Sequence, residues 1–430
     1  MIETTPRKHQ ERALLIGLEQ DGVSKWDLRD SMEELRELAS SAGAEVVDTV
    51  TQKLPKPTAP FYIGKGKAEA LKDSVQNQQV TSVIFNDELS PAQGRNLENL
   101  LSRKVLDRTQ LILDIFAQRA RSREGRLQIE LAQLQYLLPR LTRMWSHLSR
   151  QSGGIGTRGP GETQLEVDRR RVQERIARLE RELEAVRKHR SVQRQGRKRH
   201  QWPVAAVVGY TNAGKSTLLN LMTGADVLAV DKLFATLDPT TRSFTLPNNQ
   251  RVLLTDTVGF LRKLPHTLIE SFKATLEEVT EADLLIHVVD LSHPRVDEHM
   301  HAVDNVVTEL GALGKQTLIV FNKIDILENR NLAETYRRRF PRSVAISART
   351  GQGIDQFLEI LQSALGAWRL RSRFRVPLSE SNLIAEVHRV GHVLDLQYDG
   401  DHAVITAHVP PHLEQKLSNF AKQSEHGDET

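Results

Sequence analysis

The residues with the clearest chemical potential form a glycine-rich loop between an apolar run and a helix-forming segment. Residues 203–208 are followed by the pattern G-x-x-x-x-G-K-S. In such a loop the backbone N–H groups turn toward phosphate oxygens, and the helix N-terminus favours negative charge. We expect Lys215 to contact the β- and γ-phosphates and the Ser216 hydroxyl to bind Mg²⁺. The candidate nucleotide-binding residues are Gly209, Tyr210, Thr211, Asn212, Ala213, Gly214, Lys215, Ser216 and Thr217.

A D-x-x-G pattern follows the next apolar run and predicts the second part of a phosphate site. It begins at Asp256 and ends at Gly259. A carboxylate at this place can hold Mg²⁺ through water, and the Gly259 N–H can donate to a γ-phosphate. We therefore expect Asp256 beside the metal, and Gly259, with Lys215, among the residues that act in catalysis.

Two further patterns predict that the base is guanine. Asn322, Lys323 and Asp325 belong to an N-K-x-D pattern, and Ser347 and Ala348 follow a later apolar run. The Asp325 carboxylate can accept both N–H donors of the Watson–Crick edge of guanine, which adenine does not offer, while the Lys323 stem packs over the base. A backbone N–H near Ser347 would meet the guanine oxygen. Four such patterns in order, each at the end of a predicted strand, indicate a GTP-binding protein with GTP or GDP as its ligand.

The elements that must position these residues form an α/β pattern. Short apolar runs predict strands at 204–208, 251–255, 284–289, 317–321 and 343–346, and helices are predicted at 216–223, 268–280, 296–310 and 354–365. Runs of this kind are typical of a sheet that is covered on both faces. We predict a doubly wound domain with the nucleotide at the carboxyl ends of its strands.

The residues before this domain predict two further parts. Strands at 12–18, 44–50 and 80–85 alternate with helices at 27–40, 67–78 and 91–101, which indicates a small α/β unit with parallel strands. Two apolar stripes at helical spacing, 127–148 and 165–186, are separated by the glycine-rich residues 152–161. They predict an antiparallel helical hairpin. Pro139 lies within the first stripe, where it either kinks the helix or marks its restart.

The C-terminal residues predict a small α+β domain. Strands are expected at 383–387, 393–397 and 403–409, with Asp399 and Gly400 at a hairpin turn. The chain is thus a multidomain α/β protein with four predicted parts: an N-terminal α/β domain (1–122), a helical hairpin with a glycine-rich tip and a basic linker (123–200), a GTPase domain (201–368), and a basic linker with the small domain (369–430).

Composition excludes several classes of function. The 430 residues include no cysteine, which excludes disulfides and cysteine-ligated metals, and the net charge is +4. No uncharged apolar run of eighteen residues is present, and the first residues lack the apolar stretch of a signal peptide, so we expect a cytoplasmic protein without a membrane span. His388 with His392, and His408 with His412, are four apart in stretches predicted to be extended, too distant to share a metal.

Beyond the generic patterns, several stretches resemble one family of GTPases. Residues 233–242 (LFATLDPTTR) resemble the first switch of the Obg/HflX superfamily. Residues 153–166 (GGIGTRGPGETQLE), together with residues 168–170 (DRR) and 107–120 (DRTQLILDIFAQRA), are similar to the signature of the HflX family. The likeness covers about residues 10–368. It is specific because the glycine-rich loop lies outside the motifs that all GTPases share.

This resemblance implies a ribosome-associated enzyme that hydrolyses GTP. Such a protein would bind the large ribosomal subunit, help to separate stalled or idle ribosomes, often under stress, and act as a monomer. The resemblance also implies that Thr236 contacts Mg²⁺ and the γ-phosphate, with Thr240 and Thr241 as alternatives. The basic, glycine-rich tip would approach ribosomal RNA, with the candidate contacts Gly153, Gly154, Arg158, Gly159 and Gly161. The alternative is that the tip serves only as a flexible connection between the two helices.

Three questions stay open at the level of sequence. Many GTPases place a water-orienting Gln directly after D-x-x-G, where this chain has Phe260, so we expect slow intrinsic hydrolysis that a partner accelerates. Asn212 resembles the asparagine of potassium-activated GTPases, but it could equally serve only the turn of the loop. The alternative function is a signalling GTPase whose hairpin binds a protein effector.

Overall fold

The fold was analysed in a computed structural model that describes residues 11–22, 25–144, 164–199, 202–224, 234, 240–262, 276–329, 331–365, 370–409 and 411–420. Contacts divide the chain into two compact units. The first is Met1–Val186 with two short later segments, and the second holds the remaining residues. The four predicted domain boundaries stay a prediction.

The first unit begins with a parallel α/β layer. Its sheet has the order β2-β1-β3-β4, and every described pairing within it is parallel, as predicted. Residues Leu14, Ile16, Val83 and Phe85 of the central strands are buried in one apolar cluster. The elements are β1 (Glu11–Glu19), α1 (Lys25–Ser41), β2 (Ala44–Lys53), α2 (Lys65–Asn77), β3 (Ser82–Phe85), α3 (Pro91–Leu101), β4 (Lys104–Asp107) and α4 (Arg108–Arg119).

Two long helices follow, α5 (Arg123–Met144) and α6 (Gln164–Arg199). The predicted apolar stripes meet, because Leu127 and Leu131 share one buried cluster with Leu179 and Leu183. Beside this cluster the Arg175 guanidinium donates two hydrogen bonds to the Glu130 carboxylate, at 2.7 and 2.8 Å. Helix α5 continues through Pro139 without restarting. The tip between the helices lies outside the described residues.

The second unit contains the doubly wound domain. Its six-stranded sheet has the order β10-β9-β8-β5-β7-β6, and β6 alone among these strands pairs antiparallel. The five predicted strands are confirmed, whereas β6 and α9 were not predicted. The elements are β5 (Val204–Gly209), α7 (Lys215–Thr223), β6 (Thr240–Thr245), β7 (Arg251–Asp256), β8 (Leu284–Asp290), α8 (Val296–Glu309), β9 (Thr317–Asn322), α9 (Asn331–Arg339), β10 (Ser343–Ala345) and α10 (Ile354–Leu365). Residues 276–281 are also helical, while most of the helix predicted at 268–280 lies outside the described residues.

The C-terminal part is a three-stranded antiparallel sheet with two helices. It comprises β11 (Leu370–Pro377), α11 (Ser381–Val390), β12 (His392–Asp399), β13 (His402–Val409) and α12 (Pro411–Leu417). The strand predicted at 383–387 is wrong, because these residues belong to α11. Leu383, Ile384 and Val387 contact the apolar cluster at a spacing that suits one helix face. The hairpin turn at Gly400 is confirmed, with a φ of 58°.

The remaining sequence expectations concern metals and membranes. His388 lies on α11 rather than in an extended segment. Among the described ranges, no group of three or more His, Asp or Glu side chains could hold a metal ion. Within the same ranges, every helix is too short or too polar to cross a membrane.

Candidate nucleotide-binding site

The glycine-rich loop connects β5 to α7 at the carboxyl edge of the sheet. Gly209 has a φ of 154°, and a Cβ there would lie 2.2 Å from the carbonyl oxygen of Val288. Gly214 has a φ of 94°, and a Cβ there would lie 2.2 Å from the side-chain nitrogen of Asn322. Both positions require glycine because any side chain would collide with the neighbouring strand ends. The loop therefore packs tightly against β8 and β9 before α7 begins.

Lys215 is the first residue of α7, and its side chain is buried within the loop. Its Nζ donates a hydrogen bond to the carbonyl oxygen of Tyr210 at 2.7 Å. Burial lowers the pKa of Lys215 to about 8, and the nearby negative charge of Asp256 opposes that shift. An ammonium group with so little solvent around it interacts strongly with an anion, because water screens the attraction poorly.

The Ser216 hydroxyl and the Asp256 carboxylate form a pair of oxygens that suits a magnesium ion. Ser216 Oγ donates to Asp256 Oδ2 at 2.7 Å, and Asp256 is fully buried at the end of β7. Mg²⁺ prefers oxygen ligands and is usually bound by one or two protein oxygens together with phosphates. The Thr211 hydroxyl in the same loop is buried, and no described residue accepts or donates a hydrogen bond there. The donor set thus fits a metal-bound phosphate.

Asn322 connects three of the four predicted motifs. Its Nδ2 donates to the carbonyl oxygen of Ala213 at 2.8 Å, and its Oδ1 accepts from the backbone N–H of Ala348 at 2.9 Å. The asparagine is buried at the end of β9. The side chain therefore joins the phosphate loop to the loop after β10.

The two remaining residues of the N-K-x-D motif are less buried than Asn322. Lys323 has a φ of 65°, and its Nζ lies 2.7 Å from Asp290 Oδ2. Asp325 is exposed in a short 3₁₀ turn, Ile324–Ile326. Ser347 is fully buried, and its Oγ accepts from the backbone N–H of Thr350 at 3.1 Å. This arrangement leaves the Asp325 carboxylate accessible to a planar base.

Some of the predicted site residues are not described by the structure. Thr236 and the tip residues Gly153, Gly154, Arg158, Gly159 and Gly161 are outside the described residues. Of the two alternative threonines, Thr241 lies in β6, where its hydroxyl is 3.0 Å from that of Thr255. Thr240 pairs in register with Asp256, so its backbone is close to the predicted metal position. Asn212 has a φ of 60°, which fits the turn that the sequence left as one explanation for it.

Sequence reasoning missed a group of residues that surrounds Tyr210. The Tyr210 ring stacks on the His299 ring at a centroid distance of 3.8 Å, and its hydroxyl accepts from the backbone N–H of Arg262 at 2.9 Å. Burial, together with the nearby His293, lowers the pKa of His299 to about 3. These residues carry no motif, so only their proximity in space reveals them. His287 is also buried, within β8, and burial lowers its pKa to about 4.

The sheet order, the glycine-rich loop and the Asn322 contacts together define a P-loop GTPase. Comparison with known proteins then identifies the family. Family models described as "GTP-binding GTPase N-terminal", "GTP-binding GTPase Middle Region" and "50S ribosome-binding GTPase" match residues 29–117, 119–197 and 204–323. The chain belongs to the HflX family of GTPases, and it is a GTP-hydrolysing enzyme.

Two HflX relatives agree with this assignment, and one solved structure is similar over most of the chain. GTPase HflX of Caldanaerobacter subterraneus subsp. tengcongensis is 49% identical over 413 residues, which cover 96% of this chain and 94% of the relative. GTPase HflX of Lacrimispora saccharolytica is 47% identical over 416 residues, which cover 96% of each chain. A crystal structure of a GTP-binding protein from the archaeon Sulfolobus solfataricus in complex with GDP is 26% identical, with a TM-score of 0.45, covering 83% of this chain and 98% of that one.

Proposed function

We propose that this GTPase acts on the ribosome: it associates with the large ribosomal subunit and promotes the splitting or rescue of stalled or idle ribosomes under stress. The observation that carries the proposal is the match of residues 204–323, which include the glycine-rich loop and Asn322, to a family described as 50S ribosome-binding GTPases. The protein would act as a monomer in the cytoplasm, where its ribosomal partner is found.

The roles proposed for the pocket residues follow from their positions. Lys215 would contact the β- and γ-phosphates, and the Gly259 N–H would donate to the γ-phosphate. Asp325 would accept both guanine donors, with Lys323 packed along the base and the Ala348 loop near the guanine oxygen. The burial of Lys215 supports its role at the phosphates, which need a cationic pocket without water. The exposure of Asp325 supports its role at the base, which needs an accessible carboxylate.

Mg²⁺ is the metal that this pocket would hold, with Ser216 and Asp256 as its protein partners and Thr236 as a further candidate. Ser216 and Asp256 would hold the ion, whose positive charge would offset the negative charge that develops on the phosphates during transfer. A K⁺ ion near Asn212 stays a proposal. Replacing K⁺ by Na⁺ at constant ionic strength tests it, and an unchanged hydrolysis rate would remove K⁺ from the account.

The hairpin is the part of the chain that would reach ribosomal RNA. Helix α6 ends in the strongly basic stretch at 187–199, and the predicted tip carries Arg158 among glycines. Lysine and arginine on a long helix can displace counterions from a nucleic acid backbone, so binding should weaken steeply with salt. The apolar faces of α5 and α6 are buried against each other at Leu127 and Leu179, which favours polar rather than apolar docking by this pair.

The deciding experiment measures GTP hydrolysis and cosedimentation of the full-length protein with purified 50S subunits. We expect at least about tenfold stimulation, equivalent to ~1.4 kcal/mol of barrier, and binding that falls steeply between 50 and ~200 mM salt. Arg158→Ala should weaken both the stimulation of hydrolysis and the cosedimentation with 50S subunits. Arg178→Ala is the matched control, because Arg178 forms only an exposed ion pair with Glu182 on α6. Absence of stimulation and of cosedimentation would refute the ribosome proposal, and salt-resistant capture of a protein would favour the effector alternative.

A further inference from the structure

The segment that follows Gly259 is attached to the phosphate loop through backbone hydrogen bonds. The Phe260 N–H donates to the carbonyl oxygen of Gly209 at 3.1 Å, and the Thr211 N–H donates to the carbonyl oxygen of Phe260 at 2.8 Å. A Cβ on Gly259 would lie 3.0 Å from Lys215 Nζ. The segment after Gly259 and the phosphate loop with Lys215 therefore lie in direct contact.

Two residues later, the same segment is attached to helix α8. The Arg262 backbone N–H donates to the Tyr210 hydroxyl, and Arg262 Nη1 lies 2.7 Å from Glu298 Oε2. Glu298 also contacts the residue that precedes its helix, because Arg295 Nη1 lies 3.0 and 3.2 Å from its two oxygens. His299, the next residue of α8, stacks under Tyr210. Consecutive residues of α8 thus contact both the phosphate loop and the segment after Gly259.

We infer that Glu298 is a positioning residue for GTP hydrolysis. Among the described residues it touches neither the candidate nucleotide pocket nor Lys215, but it holds Arg262. In this way it keeps Phe260 and Gly259 in register with the phosphate loop. This chain has Phe260 where many GTPases have a water-orienting Gln, so hydrolysis depends on the backbone geometry of the segment. If the Gly259 N–H is already in place when negative charge develops on the γ-phosphate, it needs no reorganisation, and the barrier to hydrolysis is lower.

The inference rests on the proposed placement of GTP against Lys215 and Gly259, and the experiment separates the two. Lys215→Ala should abolish nucleotide binding if that placement holds. Glu298→Ala and Glu298→Gln should bind GDP within about twofold of the natural protein, because Glu298 does not contact the pocket. A Lys215→Ala protein that still binds GDP would overturn the placement of GTP, whatever Glu298 does.

The positioning role predicts a change in kcat with little change in KM. Partly exposed ion pairs contribute roughly 0.2–1 kcal/mol, which corresponds to at most about fivefold in rate. We expect kcat at saturating GTP to fall about three- to fivefold in both Glu298 variants, with KM within about twofold. Asp297→Ala is the matched control. Asp297 precedes Glu298 on α8, but its carboxylate contacts Arg339 and Tyr336 instead.

A double-mutant cycle separates positioning from a general loss of structure. If Glu298 acts through Arg262, then Arg262→Ala with Glu298→Ala should be no slower than the slower single variant. Three results would each overturn the inference. They are additive losses of kcat in the double variant, a kcat in Glu298→Ala equal to or higher than that of the natural protein, and an equal loss of kcat in Asp297→Ala. The thermal unfolding midpoint of every variant is measured alongside.

Discussion

Asn322 donates a hydrogen bond from Nδ2 to the carbonyl oxygen of Ala213 at 2.8 Å, although the two residues are 109 positions apart in the chain. The same side chain accepts from Ala348, so one amide holds together the loops that would contact the phosphates and the base. The integrity of the pocket depends on this residue, even though its amide faces protein rather than solvent.

Asn322→Ala should therefore weaken nucleotide binding and destabilise the protein. The substitution leaves a buried carbonyl and a buried N–H without partners, and each such group costs about 1–3 kcal/mol. We expect GDP affinity to fall at least about tenfold and the free energy of unfolding to fall by about 2 kcal/mol. Titration with a fluorescent GDP analogue and urea unfolding measure the two effects. Asn329→Ala, which removes one exposed hydrogen bond to the backbone N–H of Asn331, is the control. It should leave GDP affinity unchanged and lower the free energy of unfolding by less than Asn322→Ala does.

Asp325→Asn should change which base the pocket accepts. The natural carboxylate would accept two N–H donors from guanine, whereas an amide offers one acceptor and one donor. Xanthine carries an oxygen where guanine carries its amino group, so the amide should match xanthine better. We expect GDP affinity to fall about ten- to a hundredfold, from the loss of a charged hydrogen bond of about 1.5–3 kcal/mol, and XDP to bind more tightly than GDP. If Asp325→Asn weakened the binding of GDP and of XDP equally, the proposed role of Asp325 would be contradicted.

The pKa of Lys215 predicts that nucleotide affinity depends on pH. Burial lowers this pKa to about 8 in the ligand-free protein, and bound phosphates would raise it again by favouring the ammonium form. Binding above pH 8 must then take up a proton, so GDP affinity should fall by up to about tenfold per pH unit. Calorimetry at pH 9 in two buffers of different ionisation enthalpy would detect this uptake.

The same shift predicts how the stability of the ligand-free protein depends on pH. Between pH 8 and 10.5 the folded state binds fewer protons at Lys215 than the unfolded state does, so this group makes the free energy of unfolding rise with pH. In Lys215→Met that contribution should disappear. An identical pH slope in both proteins would mean that Lys215 keeps an ordinary pKa in the folded chain.

Within the first unit, Tyr136 should stabilise the attachment of α5 to the α/β layer. Its hydroxyl donates to Asp107 Oδ2 at 2.6 Å, and Arg140 of the same helix lies 3.2 Å from that oxygen. Asp107 is buried. The pKa of Tyr136 is raised first by the burial of its own side chain and then by the neighbouring negative charge of Asp107. Tyr136→Phe removes one hydrogen bond to a charged acceptor and should lower the free energy of unfolding by about 1.5–3 kcal/mol. Tyr336→Phe, whose hydroxyl lies 3.2 Å from Asp297, is the control and should cost less.

The errors made from sequence have a common origin. The residues of β6 (Thr240–Thr245) are mostly polar, and the strand forms because β7 offers it an edge on which to pair. Residues 383–387 are apolar except for Glu386 and include the β-branched Ile384 and Val387, which suits a strand or one face of a helix equally well. A short segment whose preference is weak is decided by the partners that it meets. Those partners are distant in the chain, so local pattern does not reveal them.

What the sequence by itself determined is the set of motifs that local backbone geometry produces. A strand, a glycine-rich turn and a helix specify the phosphate loop because its conformation depends on residues within a few positions of Gly209 and Gly214, and the apolar stripes of α5 and α6 follow from helical spacing. The tertiary structure alone decided that Arg262 meets Glu298 and that Tyr210 stacks on His299. Such contacts join separate elements, and they form only when the packing of the whole domain brings distant side chains within reach.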